Sequence, residues 1–204
     1  LQALDSLSDL KLDGRISNLG LTNFDTKRLG QILSYDMPVV SNQVQYSMID
    51  RRPEHQMASL CQSNGIHLLA YGSVCGGLLT DRYVGAAEPS GFELQTPSLR
   101  KYKQMIDAWG GWGLFQDLLV VARGIADKHS VSVANVAVRY ILEKPTVSGV
   151  IIGARLGIVD HIEDNRNITN FHLDCDDLEN IETVLSKSRN LNQIIGDCGD
   201  EYRV

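Results

Sequence analysis

The sequence predicts a parallel α/β sheet with helical crossovers, on three observations. Four short apolar runs, at residues 14–24, 39–46, 66–72 and 149–153, are each separated from the next by at least one helical pattern. Gly, Pro or Asp stands at the boundaries of these runs, as expected where a chain leaves one element for the next. Each run also ends in residues that hydrogen-bond or stack, and the C-terminal ends of parallel strands are where such sheets bind ligands. The four segments therefore point to one shared ligand.

Taken in order, residues 1–12 carry Leu1, Leu4, Leu7 and Leu10 at helical spacing, with no cap ahead of Leu1 and no initiator Met. The expectation is a helix already under way, with chain missing upstream. Gly14 closes it, and residues 15–21 form the first strand. Asp25 or Thr26 caps a helix through Leu33, and Pro38 keeps that helix out of the second strand. Pro53 sits at the first turn of a third helix, residues 54–63, which stops at Asn64–Gly65 before the third strand. Residues 73–112 break the rhythm with Gly76–Gly77, Pro89, Pro97 and the Trp109 to Gly113 cluster. Only residues 99–108 show a weak helical pattern there, so a lid over the strand ends is expected. Helices follow at 114–129 and 133–142, the second capped by Ser132 and ended ahead of Pro145. After the fourth strand come a helix at 159–165 and a last amphipathic one, capped by Asp174 or Asp176, that presents Leu178, Ile181 and Leu185. The tail, 196–204, reads as polar and irregular.

The 204 residues, 43% apolar and 22% charged, suit one globular domain or a piece of a larger one. A net charge of -6 without a Lys/Arg-dense face argues against nucleic acid or anionic membrane as the main partner. No apolar run nears the roughly 18 residues of a membrane span, and no basic-then-apolar leader is present, so a cytoplasmic chain is expected, compatible with a removed transit segment. Cys61, Cys75, Cys175 and Cys198 are scattered without a CxxC pair and read as free thiols. The five histidines show no metal-ligand spacing.

Tyr140 and Lys144 lie one helical turn apart, the spacing of an alcohol-deprotonating pair. That reading needs a glycine-rich dinucleotide turn, and no GxGxxG occurs in the chain. The pair is expected to be a partly buried Tyr beside a solvated Lys. Asn23 and Gln43 lie at or near strand ends, and each offers an amide donor and acceptor that could converge on a carboxamide, or simply form turns. Tyr71 could stack on a flat ring or serve as an ordinary aromatic at the mouth. Ser73 and the backbone near Gly76, Gly77 and Leu78 could hold a pyrophosphate, since glycine permits close backbone approach. Arg155 just precedes a helix, where a guanidinium and a helix N-terminus could face one anion, the alternative being a solvated Arg.

The stretches GRISNLGLTNF, VVSNQVQYSMIDRRPE, LLAYGSVCGGLL and GVIIGARLG…HIEDN resemble successive strand-end motifs of the aldo-keto reductases. The branch they resemble includes bacterial and fungal reductases and potassium-channel β subunits. The resemblance runs from about Leu4 to Leu185 with the motifs in the family's order. It implies a (β/α)8 barrel that binds NADP(H) in extended form and reduces a small-molecule carbonyl substrate. By resemblance, Thr22, Asn23 and Gln43 hold the nicotinamide carboxamide and Tyr71 stacks on the ring. Ser73 and the backbone from Cys75 through Gly76 and Gly77 to Leu78 line the pyrophosphate. Gly153 to Arg155 contact the 2'-phosphate, which favours NADP(H) over NAD, and Glu163 and Asn165 lie near the adenine. The interval from Gly153 to Asn165 is longer than in the best-known members.

The family's catalytic Asp, Tyr, Lys and His come from the first four strands, and the resemblance here begins after the fourth. No catalytic residue carries over, and Asp5 and Tyr35 lie in no matching motif. A typical barrel needs about 250 residues, so the expected architecture is the C-terminal (β/α)4 half of a TIM-type (β/α)8 barrel. It would have a long loop after its third strand, C-terminal helices, and one domain incomplete at its N-terminus. Such a half is expected to leave two open edges and one layer of inward apolar side chains. Its expected partner is the missing N-terminal half-barrel. The alternative is a non-catalytic NADP(H)-binding or scaffold module, possible as a homo-oligomer that rebuilds a barrel.

Overall fold

A computed structural model describes residues 2–35, 37–154 and 161–203. Helix α1 (Gln2–Leu12) leads into β1 (Leu19–Thr22), α2 (Thr26–Leu33), β2 (Val39–Gln45), α3 (Met57–Ser63) and β3 (His67–Tyr71). Then come α4 (Pro97–Trp109), α5 (Gly111–His129), α6 (Val133–Leu142) and β4 (Val147–Ile151). The chain closes with α7 (Ile162–Arg166), α8 (Cys175–Leu185) and α9 (Leu191–Ile195). The strands are parallel and ordered β1-β2-β3-β4, the same as their order in the chain. Parallel strands joined in chain order by crossovers of the usual right hand carry their connecting helices on one face of the sheet.

Alternation along the strands sorts the two faces. Val44, Leu68 and Ala70 are fully buried and face the helices, with Leu19 and Leu21 packed beside them. The opposite face carries Gly20, Thr22, Ser41, Gln43, His67, Leu69, Tyr71, Gly149 and Ile151, aligned by the strand register. An open layer of apolar side chains was the expectation; only Leu69 and Ile151 are aliphatic among these nine, and the rest are polar, small or aromatic. Ile151 is 47% exposed there.

The first strand starts later than expected, because the Arg15 and Ile16 amides bond back to the Leu10 carbonyl at 2.9 and 3.3 Å around Gly14, whose φ is +68°. The expected lid is helical in its last part, from Pro97. Thr96 caps α4 at 3.1 Å through the Leu99 amide, with Pro97 in the first turn. The Gly110–Gly111 pair then forms a corner rather than a break. A Cβ on Gly110 would overlap the Leu114 side chain, so α5 turns tightly off α4 and buries Trp109, Trp112 and Phe115 in the main core. The tail expected to be irregular, 196–204, follows α9 and holds a 3-10 turn, Asp200–Tyr202. Residues 159 and 160 of the expected 159–165 helix lie outside the described residues, and the described part holds α7 from Ile162. No helix among the described residues is long and apolar enough to cross a membrane.

Candidate functional site

Thr22 pairs with Gln43, Gln43 with Leu69 and Gln45 with Tyr71, so these side chains form two adjacent rows at the C-terminal end of the open face. Asn23 extends the ladder by donating its amide to the Gln43 carbonyl at 2.9 Å and then turns away with φ +57°. Asn tolerates that left-handed conformation better than most residues. The Tyr71 hydroxyl donates to Asn23 Oδ1 at 2.8 Å. Residues 48 positions apart thus meet, and the bond fixes which way the Asn23 amide faces. Burial, then the Tyr202 hydroxyl, push the Tyr71 phenol well above its usual range, so it stays a donor.

Beyond β3 the chain turns sharply. Gly72 has φ +73°, and a Cβ there would overlap the Tyr102 hydroxyl; at Gly76 a Cβ would sit 2.8 Å from the Tyr102 ring and 3.0 Å from Ser98 Oγ. Helix α4 therefore lies directly over the Gly72–Gly77 turn. Within it, the Gly77 and Leu78 amides already donate to Val74 and Cys75 carbonyls at 2.9 and 3.2 Å. Ser73 is 2% exposed and its hydroxyl has no partner among the described residues, and Gln45 Oε1 is likewise buried without one there. Two unsatisfied polar atoms at one end of a sheet are unusual, since most such groups are hydrogen-bonded.

Behind the open face is a charged network that sequence reasoning missed. Arg52 is 1% exposed at its side chain, yet all five of its donors are engaged. Asp50 accepts from Nε and Nη2 at 2.8 and 2.9 Å, Glu201 from Nη1 and Nη2 at 2.8 and 3.0 Å, and the Asp197 carbonyl from Nη1 at 3.1 Å. Asp50 also accepts from Gln45 Nε2 at 2.7 Å. The only local signal was the charged pair Asp50 and Arg52 beside Pro53. Glu201 lies 149 residues away and gave none.

The tail continues across the strand ends. Asp197 accepts from the Thr26 amide at 2.7 Å, Arg203 pairs with Asp25 at 2.9 Å and donates to the Asn23 carbonyl, and Tyr202 lies 3.1 Å from the Tyr71 hydroxyl. Lys101 of α4 donates to Tyr202 and sits 5.9, 5.6 and 4.5 Å from the ring centres of Tyr71, Tyr102 and Tyr202. A cavity of about 360 Å³ lies between α4 and this tail, lined by Arg52, Lys101, Met105 and Tyr202 among others.

The remaining expected site residues follow β4, the neighbour of β3. Gly153 is exposed with open space around its Cα, Glu163 is exposed and paired with Arg166 at 2.7 Å, and Asn165 is half-buried on α7. Asp164 ties α7 to the start of α6 through Ser132 and Asn135, at 2.9 and 2.8 Å. Arg155 lies outside the described residues.

Tyr140 and Lys144 do touch, at 3.1 Å, but Lys144 is ion-paired rather than solvated. Its partner Glu54, at 2.9 Å, also binds Arg51 and the Tyr46 hydroxyl, both at 2.8 Å. Burial works against ionisation of Glu54, but Lys144 and Arg51 together hold its carboxyl below the usual range. This cluster lies on the helix side of the sheet, where it joins β2, the turn before α3, and α6. No group of three or more potential metal ligands occurs among the described residues.

Three comparisons place this arrangement among known proteins. Flagellar radial spoke protein 5 of Chlamydomonas reinhardtii is 33% identical over 131 residues, covering 63% of this chain and 25% of that protein. The aldo-keto reductase YhdN of Bacillus subtilis is 26% identical over 208 residues, covering 98% of this chain and 57% of its own length. The solved structure of a glycerol dehydrogenase from Gluconobacter oxydans superposes with a TM-score of 0.68 at 22% identity, over 90% of this chain and 53% of that one. The chain thus spans about half the length of the Bacillus relative and of the solved structure, and a quarter of the spoke protein. Residues 1–186 match the sequence profile of the Aldo/keto reductase family, and the chain belongs to that family.

Proposed function

We propose that this chain is the cofactor-binding, C-terminal half of an NADP(H)-dependent aldo-keto reductase that moves hydride between nicotinamide and a small carbonyl or alcohol. The observation that carries this reading is the convergence of Thr22, Asn23, Gln43 and Tyr71 at one end of the open sheet face, tied by the Tyr71–Asn23 hydrogen bond. The residues fit a flat, amide-bearing ring. Asn23 and Gln43 offer paired donors and acceptors, Tyr71 an aromatic surface, and Ser73 a buried hydroxyl lacking a partner among the described residues.

When bound, the nicotinamide would supply or accept the hydride. The chain's own residues would bind and orient it. Tyr71 stays protonated and holds the Asn23 carbonyl oxygen, which leaves the Asn23 nitrogen as the donor toward a carboxamide. Gln43, beside Thr22 in the same row, adds a second amide. Ser73 and the Gly76–Gly77 turn would face the pyrophosphate, while Gly153, Arg155, Glu163 and Asn165 would take the adenosine end. A cation at Arg155 is what favours NADP(H) over NAD in this reading. An upstream half would bring the catalytic groups and close the sheet's edges.

The test is NADPH and NADH binding by the intact protein, followed by fluorescence, with Asn23→Ala and Arg155→Ala as variants. Binding of NADPH that weakens in both variants, together with carbonyl-dependent NADPH oxidation, supports the reading. Absence of NADPH binding would sink it. The spoke-protein relative favours a second reading, a non-catalytic module within an assembly. Cofactor binding without turnover, in the presence of the upstream half, would select it.

A further inference from the structure

We infer that residues 197–203 form a strap that closes the strand mouth, so that a ring-bearing ligand at Asn23 and Tyr71 must displace it. The inference rests on the cofactor-site reading above and adds a gate to it. Three independent contacts place the strap on the very residues that reading uses. Tyr202 lies against the Tyr71 hydroxyl at 3.1 Å, Arg203 donates to the Asn23 carbonyl, and Gly199 lies so close to Asn23 that a Cβ would overlap its backbone.

The strap is held from both ends. Glu201 and the Asp197 carbonyl anchor to the buried Arg52, and Asp197 caps the Thr26 amide. At its outer end Tyr202 is 51% exposed, and Arg203 pairs with the buried Asp25 and with the exposed Asp200. Lifting at Gly199, whose φ of +85° marks the turn, gives up the Glu201–Arg52 pair together with the Tyr202 and Arg203 contacts, while residue 197 stays attached through its carbonyl and the Thr26 amide. A ligand then binds only the open fraction, and its apparent affinity falls by that fraction.

Gly199→Ala tests this without removing any polar group, because the added methyl disfavours only the closed strap. Tyr202→Ala removes the cover by another route and serves if the first variant misfolds. NADPH affinity is measured in the intact protein, with amide hydrogen exchange of 197–203 followed before and after NADPH is added. The expected result is NADPH binding on the order of ten-fold tighter in both variants, and faster exchange of the segment in the wild type once NADPH is bound. Equal or weaker binding in both variants, with exchange unchanged by NADPH, overturns the strap while leaving the cofactor site standing. No NADPH binding by wild type or variants removes both.

Discussion

Arg52→Ala is expected to be the most destabilising single change at the strand mouth, and the magnitude follows from what it strands. Asp50 is fully buried, and its two carboxylate oxygens are held by Arg52 and Gln45. Removing the guanidinium leaves only two neutral donors, the Gln45 amide at 2.7 Å and the residue-52 backbone N–H at 3.3 Å, facing a buried carboxylate. Breaking a buried pair in this way costs roughly 3–5 kcal/mol. For a domain of this size each kcal/mol lowers Tm by about 2–4 °C, so a fall of at least 6 °C is expected. Glu201→Gln should cost much less, because Glu201 is 14% exposed and Arg52 keeps Asp50; about 1–2 kcal/mol is expected. The double variant Asp50→Asn with Arg52→Met should recover much of the loss, since no unpaired charge then remains. Urea denaturation read by circular dichroism measures all three. The reasoning fails if Arg52→Ala and Glu201→Gln lie within 1 kcal/mol of each other, or if the double variant is no more stable than Arg52→Ala.

Tyr71→Phe keeps the ring but removes the donor to Asn23, so in a Tyr202→Ala background, where the strap contact is already gone, NADPH affinity should fall by about 2- to 12-fold, the worth of one hydrogen bond, as read by fluorescence titration; an unchanged affinity would detach that bond from binding. Gly72→Ala should destabilise by roughly 1–3 kcal/mol, because it combines φ +73° with overlap of the Tyr102 hydroxyl. Pairing it with Tyr102→Ala should return part of that loss in denaturant titrations. Glu54 has a folded-state pKa below its unfolded value, so its stabilisation is present above the unfolded pKa and is lost as pH falls through the folded one. Glu54→Gln should therefore flatten the acid side of a stability–pH curve measured below about pH 4.5. Cys175 is exposed, while burial pushes the Cys61 thiol up to about 11 and the Cys75 thiol up to about 12. A thiol reagent at neutral pH should titrate Cys175 quickly and the buried thiols only on unfolding.

The sheet was legible because its signals are local. Each strand is a short apolar run punctuated within a few residues, as with Pro38 before β2 and Asn64–Gly65 before β3. Caps were legible for the same reason: Asp25, Ser132 and Asp174 each cap a helix through an amide three residues on. The α4–α5 corner was not, because Gly110 and Gly111 suggest interruption unless Leu114 is known to need the space. At the site, Asn23 and Tyr71 were each readable from position, but their hydrogen bond depends on pairing through β2. The tail was the least legible part. Its residues look like a solvated, acidic terminus until Arg52, far upstream, supplies a buried guanidinium with open donors.

The composition of the open face bears on how this chain folds. Its two hydrophobic clusters lie between the sheet and the helices and contain all the large buried aliphatics of β2 and β3. The other face presents Thr22, Ser41, Gln43 and His67, and His67 is satisfied by Ser148 at 2.7 Å. Polar groups facing water incur no desolvation, so this surface does not drive collapse in the way an apolar layer would. The same side chains that make the face tolerable when open are those that can hydrogen-bond a ligand when it is covered. If the proposed cofactor site is right, the polar row near the strand ends serves binding rather than folding. The stability of the chain should then depend on the helical side and on the Arg52 network, and substitutions along Thr22, Ser41 and Gln43 should alter NADPH affinity while leaving the unfolding free energy within about 0.5 kcal/mol of wild type.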